Sequence, residues 1–128
     1  MAIKGMGIDI VEISRLARVL SRYGDKFIGR IYTPAEAAAC DRLSEARSAV
    51  YYAGRWAAKE AFYKALPAGV QHLSSWQDVQ ILSDGMGRSS VCVCTGRLRE
   101  ALAGIGVGSV HLSITHERTH CVAVVVLE

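Results

Sequence analysis

Two stretches of this chain place charged side chains where they could act together. Gly7-Ile8-Asp9-Ile10-Val11-Glu12 sets a carboxylate within an alternation of glycine and apolar residues. The segment from Arg55 to Ala65 carries Trp56, Glu60 and Lys64 at intervals of four, which lines them along one side of a helix. Two carboxylates and an ammonium suit a hard divalent cation such as Mg²⁺ together with a phosphate ester. Each residue also has a plainer use. Glu60 and Lys64 can form a surface ion pair one helical turn apart, contributing about 0.3–0.5 kcal/mol. Asp9 can cap a helix or end a strand in solvent. Spacing alone leaves both readings open.

The elements that must position these residues are legible as patterns. From Ile3 to Ile10, Met6, Ile8 and Ile10 share one strand face, and Gly5, Gly7 and Asp9 the other. From Glu12 the period becomes helical, with Ile13, Leu16, Ala17 and Leu20 on one face and Arg15, Arg18 and Arg22 on another, up to Gly24. Thr33-Pro34-Ala35-Glu36 predicts a helix start with a capping box. The longest helical stretch, about Arg47 to Leu66, stops at Pro67 and Gly69, and Val50, Ala53, Ala57 and Ala61 form its apolar stripe. Val79 with Ile81, a turn over Ser83 to Gly87, and Val91 with Val93 predict a hairpin. A short helix from Arg97 to Ala103 precedes a strand on Val110, Leu112 and Ile114. A turn over His116 to Thr119 then leads to a strand from Cys121 to Leu127, expected to be buried on both faces. The order β-α-α-α-β-β-α-β-β implies an α+β fold, one domain over 1–128, with a mainly antiparallel sheet packed against the long helix.

Composition narrows the function classes. A 128-residue chain with 51% hydrophobic residues, 21% charged residues and two prolines can bury a core, which excludes wholesale disorder and collagen-like architecture. The longest apolar run, Cys121 to Leu127, is far below the roughly 20 residues a spanning helix needs. The N-terminus shows no secretory signal pattern, so the cytoplasm is the expected compartment. Cys40, Cys92, Cys94 and Cys121 sit among apolar neighbours and are expected to be buried thiols, with a zinc or redox role for the Cys92–Cys94 pair as the alternative. Gly5-Met6-Gly7 lacks the third glycine of a dinucleotide loop, and no phosphate-loop lysine motif is present. The net charge of +3 is uneven. Six of the 15 basic side chains but only three of the 12 acidic ones fall in the first thirty residues, which points to one basic face and an acidic partner.

The strings GIDIVEISRL, AGRWAAKEAFYKAL and SITHERTHCVAVVVLE, with YTPAE and WQDVQILSDGMGR between them, closely resemble the holo-acyl-carrier-protein synthases, small bacterial 4′-phosphopantetheinyl transferases. The resemblance implies transfer of the phosphopantetheine arm of coenzyme A to a serine of apo acyl carrier protein, releasing adenosine 3′,5′-bisphosphate, in support of fatty acid biosynthesis. It implies Mg²⁺ on Asp9 and Glu60, and phosphate contact and catalysis from Lys64, with Glu60 as the nearest base. It also implies coenzyme A contacts from Arg55, Lys64, His111, Ser113, Thr115 and His116. Arg15, Arg22, Lys26, Phe27 and Arg30 match the family's carrier-docking face, and a homotrimer sharing each site between neighbouring subunits is the implied assembly.

The chain departs from the family at three places. Pro67-Ala68-Gly69 stands where many members have Gly-Thr-Gly, so a backbone N–H is lost at Pro67. Ser89 replaces a frequent proline, and His120 a frequent aromatic residue. The competing class is a non-catalytic basic module for an acidic protein or nucleic acid. Aromatic residues are only 7% and do not alternate with the basic ones, which disfavours a nucleic-acid surface. Neither nucleic acid nor membrane is an expected partner.

Overall fold

In the computed structural model, which describes residues 2–128, strand β1 (Gly5–Glu12) runs straight into helix α1 (Ile13–Tyr23). Gly24, at φ 50°, breaks the path and starts α2 (Asp25–Ile31). Helix α3 (Pro34–Cys40) opens on the expected capping box, with Thr33 and Glu36 exchanging bonds. Ser44 then caps the 21-residue α4 (Glu45–Ala65) through the Arg47 N–H. After the short α5 (Ala68–Gln71) and a 3-10 turn (Trp76–Asp78) come β2 (Val79–Ser83), β3 (Ser89–Val93), α6 (Gly96–Gly104), β4 (Val110–His116) and β5 (His120–Leu127). The fold is α+β, and both sheets are antiparallel: β1-β5-β4, and the β2-β3 hairpin.

Helix α4 crosses the three-stranded sheet and buries Ala53, Ala57 and Ala61 completely. The approach is close because both surfaces are small. A methyl group on Gly5 would strike the Ala65 carbonyl, and one on Gly7 the Ala61 carbonyl. The two glycines therefore set the β1–α4 spacing, and with it the distance from Asp9 to the side chains of α4.

This packing decides which face of β1 is inside. The glycine face meets α4, leaving Met6, Ile8 and Ile10 about 60% exposed (62%, 61% and 63%). Cross-strand register extends that outer face. Met6, Val126 and His111 form one row, Ile8, Val124 and Ser113 the next, and Ile10, Val122 and Thr115 the third.

Several expectations are corrected. The strand β5 is buried on one face only: Cys121, Ala123, Val125 and Leu127 point to α4, and the alternate residues are partly exposed. Cys92 is exposed because β3 turns it to the open side of a two-stranded hairpin, and Cys94, just past the end of β3, is exposed too, whereas Cys40 and Cys121 are buried as expected. Helices α2 and α5 fall outside the expected order. The first strand runs to Glu12 rather than Ile10, α4 begins at Glu45 rather than Arg47, and His116 ends β4 rather than opening a turn.

Candidate active site

The close β1–α4 contact brings Asp9 beside the last turns of α4. The Lys64 ammonium donates to Asp9 Oδ1 at 2.9 Å and to the Ile8 carbonyl at 3.3 Å. Both plainer uses fail here. Lys64 pairs across to β1 rather than with Glu60 on its own helix, and the N-cap position of α1 is Glu12, not Asp9.

Glu60 is held above its ordinary carboxyl range, first by burial and then by the negative charge of Asp9, with Lys64 offsetting part of the effect. The Asp9 bond in turn raises Lys64. Two carboxylates thus repel one another at a partly desolvated edge, an arrangement that a divalent cation relieves. Among the described residues no cluster of three or more His, Cys, Asp or Glu side chains could hold a metal. Protein ligation would come from the two carboxylates alone. Such a set fits Mg²⁺, which commonly keeps water and substrate phosphate oxygens beside one or two carboxylates.

Glu60 borders two cavities. One, about 320 Å³, lies toward α1 and includes Asp9, Glu12, Arg15, Phe27 and Trp56 in its lining. The other, about 530 Å³, is lined by Lys59, Glu60, Tyr63, Ser74, Ser75 and Trp76. A third cavity of about 690 Å³ opens on the outer side of Phe27, between Val19, Tyr23, Lys26 and Arg30.

The remaining candidate residues scatter around this centre. Arg55 donates to the Ser83 hydroxyl at the end of β2 and stacks its guanidinium 4.2 Å from the Tyr51 ring centre. Its buried Nε has no acceptor among the described residues. Exposed Arg15 and Arg22 lie on α1, and exposed Lys26 and Arg30 on α2, so the basic face spans two helices. Phe27 is half-buried, with its ring 5.7 Å from Trp56 and 6.0 Å from Tyr32. His111, Ser113 and Thr115 are exposed on the outer face of the sheet, opposite to Asp9. His111 Nε2 lies 3.1 Å from Glu128 Oε1. His116 is exposed at the end of β4, on the inner face. Within one chain the sheet separates His111, Ser113 and Thr115 from the carboxylates.

Sequence reasoning missed the second cavity's wall, Tyr63 and Ser74 to Trp76, and the buried pair of Lys59 with Glu36. A lysine beside Ala57, Ala58 and Ala61 on an apolar helix face was the available signal for that pair.

Known proteins agree with this architecture. Residues 5–125 match the 4′-phosphopantetheinyl transferase superfamily. The holo-[acyl-carrier-protein] synthase of Koribacter versatilis is 41% identical over 126 residues, covering 98% of each chain. The crystal structure of the Neisseria meningitidis holo-[acyl-carrier-protein] synthase superposes with a TM-score of 0.84 at 33% identity, over 99% of each chain. The Bacillus anthracis holo-(acyl-carrier-protein) synthase, solved in complex with CoA (3′,5′-ADP), gives 0.79 at 36% identity, over 98% of this chain and 96% of that one. With its fold and its matches along nearly the whole length, the chain belongs to the 4′-phosphopantetheinyl transferase superfamily.

Proposed function

We propose that this protein is a holo-acyl-carrier-protein synthase that moves the 4′-phosphopantetheine arm of coenzyme A onto a serine of apo acyl carrier protein. The observation that carries the reading is the Asp9–Lys64–Glu60 cluster standing between a cavity that opens toward the basic helices and one that opens toward Trp76. The serine enters from the first cavity, and the donor's pantetheine arm lies in the second. The serine oxygen forms a bond to phosphorus as the diphosphate P–O bond breaks, and adenosine 3′,5′-bisphosphate leaves with the added negative charge.

Asp9 and Glu60 would hold Mg²⁺ in this reading, and the ion would supply charge neutralisation on the diphosphate. Lys64 turns from Asp9 to the phosphate and offsets charge on the departing group. Glu60 is the nearest base for the serine proton, directly or through a water. Arg55, held at the hairpin, and His116, at the strand end, face the nucleotide portion. Cytoplasmic work in fatty acid biosynthesis belongs to the same proposal and is in keeping with four free cysteines. No described helix is long and apolar enough to cross a membrane. Purified protein incubated with coenzyme A, Mg²⁺ and an apo carrier should add the phosphopantetheine mass to the carrier. No mass gain with several carriers would overturn the reading.

A homotrimer completes the site. The exposed row of Met6, Ile8 and Ile10 beside partly exposed Val122, Val124 and Val126 is an apolar surface of the kind that a second copy covers. Covering it would carry His111, Ser113 and Thr115 toward a neighbour's carboxylates. Ile8→Asp should therefore yield a monomer by light scattering that has lost nearly all transfer while keeping Asp9 and Glu60. A monomer with full turnover would contradict the shared site.

Lys26 and Arg30 are exposed at the cavity beside Phe27, Arg15 and Arg22 are exposed on the neighbouring α1, and the four together would dock an acidic carrier. Arg22→Glu should slow carrier association and leave coenzyme A affinity within about twofold. Added salt should weaken the wild type in the same way, because exposed charges are screened beyond roughly 8 Å at physiological ionic strength. Equal loss of both affinities would point instead to damaged structure.

A further inference from the structure

Lys59 and Glu36 meet at 2.9 Å with both side chains completely buried, whereas every other ion pair among the described residues is partly in solvent. All three protons of the ammonium are used. One goes to Glu36 Oε1, one to the Trp76 carbonyl at 2.8 Å, and one to the Val79 carbonyl at 2.7 Å. The carboxylate is equally occupied. Glu36 Oε1 also accepts from the Thr33 N–H, and Oε2 from the Ile81 N–H, each at 2.8 Å. One pair therefore joins α3, α4, the 3-10 turn and β2.

Stability alone does not explain such a pair. Desolvation of two charges consumes most of their attraction, and apolar residues of similar volume often do as well in its place. What an apolar replacement cannot do is gather two carbonyls and two amides that point at one pair of side chains. The segment that depends on this gathering has little regular structure of its own. Ser74 and Ser75 lie outside any regular element, and the turn that follows is three residues long. Gln77 ties the turn to the Gly29 and Tyr32 carbonyls near α2, and Trp76 stacks on Trp56 at 4.8 Å. Lys59 is its hydrogen-bonded anchor to α4, one residue before Glu60. Ser74, Ser75 and Trp76 are the wall of the 530 Å³ cavity facing Glu60.

From this placement we infer that Lys59, held by Glu36, is a positioning residue for the donor: it sets the gap between Glu60 and the Ser74–Trp76 wall of the cavity that it helps to line, and so governs the grip on coenzyme A through that wall, its own ammonium being fully buried. The inference rests on the proposed function, which puts the pantetheine arm in that cavity. Carrier docking takes place on α1 and α2 and is not set by this pair.

The test uses the full chain with Lys59→Met and Glu36→Met combined, which leaves no lone buried charge, and Glu36→Gln, which keeps the shape but turns a donor toward the Ile81 amide. For each, the melting temperature, the coenzyme A and apo-carrier dissociation constants, and hydrogen exchange at the Ser75–Val79 amides are measured. The double variant should melt within a few degrees of wild type, bind coenzyme A at least tenfold more weakly, bind carrier within twofold, and exchange those amides faster. Glu36→Gln should shift coenzyme A affinity and exchange in the same direction, which keeps the test decisive if the double variant does not fold. Coenzyme A affinity that follows melting temperature across the variants, or unchanged exchange in the wall, would overturn the inference. If the wild type itself does not bind coenzyme A, the donor assignment fails, and the exchange comparison still decides whether Lys59 fixes the wall.

Discussion

Glu60→Gln should cut transfer by orders of magnitude while raising the melting temperature of the metal-free protein at neutral pH. Burial and the Asp9 charge both disfavour ionised Glu60, so a neutral isostere removes a cost to folding. The same change removes a hard ligand and the candidate base, and turnover should fall by roughly 10³-fold, at the upper end for losing one preorganised electrostatic group. The linkage has a definite sign. Because folded Glu60 holds its proton more tightly than the ordinary value of 4.5, it contributes stability that is fully present below that value and is lost as pH rises through the raised one. Melting curves across that window should show this loss in the wild type and not in Glu60→Gln. Near-normal turnover in the variant, or a lowered melting temperature at neutral pH, would refute the role or the electrostatics respectively. Asp9→Ala should also cut transfer by orders of magnitude and should lower the pKa of Glu60, since it removes the like charge.

Lys64→Ala should lower turnover by roughly 10²–10³-fold with little loss of stability. The Lys64–Asp9 pair is about half exposed on the lysine side (52%), and pairs in that setting contribute about 0–1 kcal/mol. If Lys64 were only a surface pair, the alanine variant would turn over normally. If it offsets charge that grows as the bisphosphate leaves, the loss appears in kcat more than in coenzyme A binding. Lys64→Arg separates charge from geometry, because the planar guanidinium keeps the charge but replaces a compact ammonium. Arginine is expected to restore coenzyme A binding better than turnover.

What the sequence determined by itself is local or carried by contiguous motif. The Thr33–Glu36 capping box, the stop of α4 before Pro67, the hairpin around Asp84 and Gly87, and the alternations of β1 and β4 follow from side-chain bonds and backbone constraints within a few residues. The family strings also bracketed Asp9, Glu60 and Lys64. Tertiary structure decided what periodicity cannot express. An alternation separates two faces without saying which is covered, and in β1 the glycine face is the inner one because only there can α4 approach within a methyl's breadth. The same choice leaves Met6, Ile8 and Ile10 outside and puts His111, Ser113 and Thr115 across the sheet from Asp9. Lys64 bonds Asp9, 55 residues away, and Lys59 finds Glu36 and the Trp76 and Val79 carbonyls in the interior. Ionic partners are chosen by which groups lose water together when distant elements pack, and no local pattern carries that information.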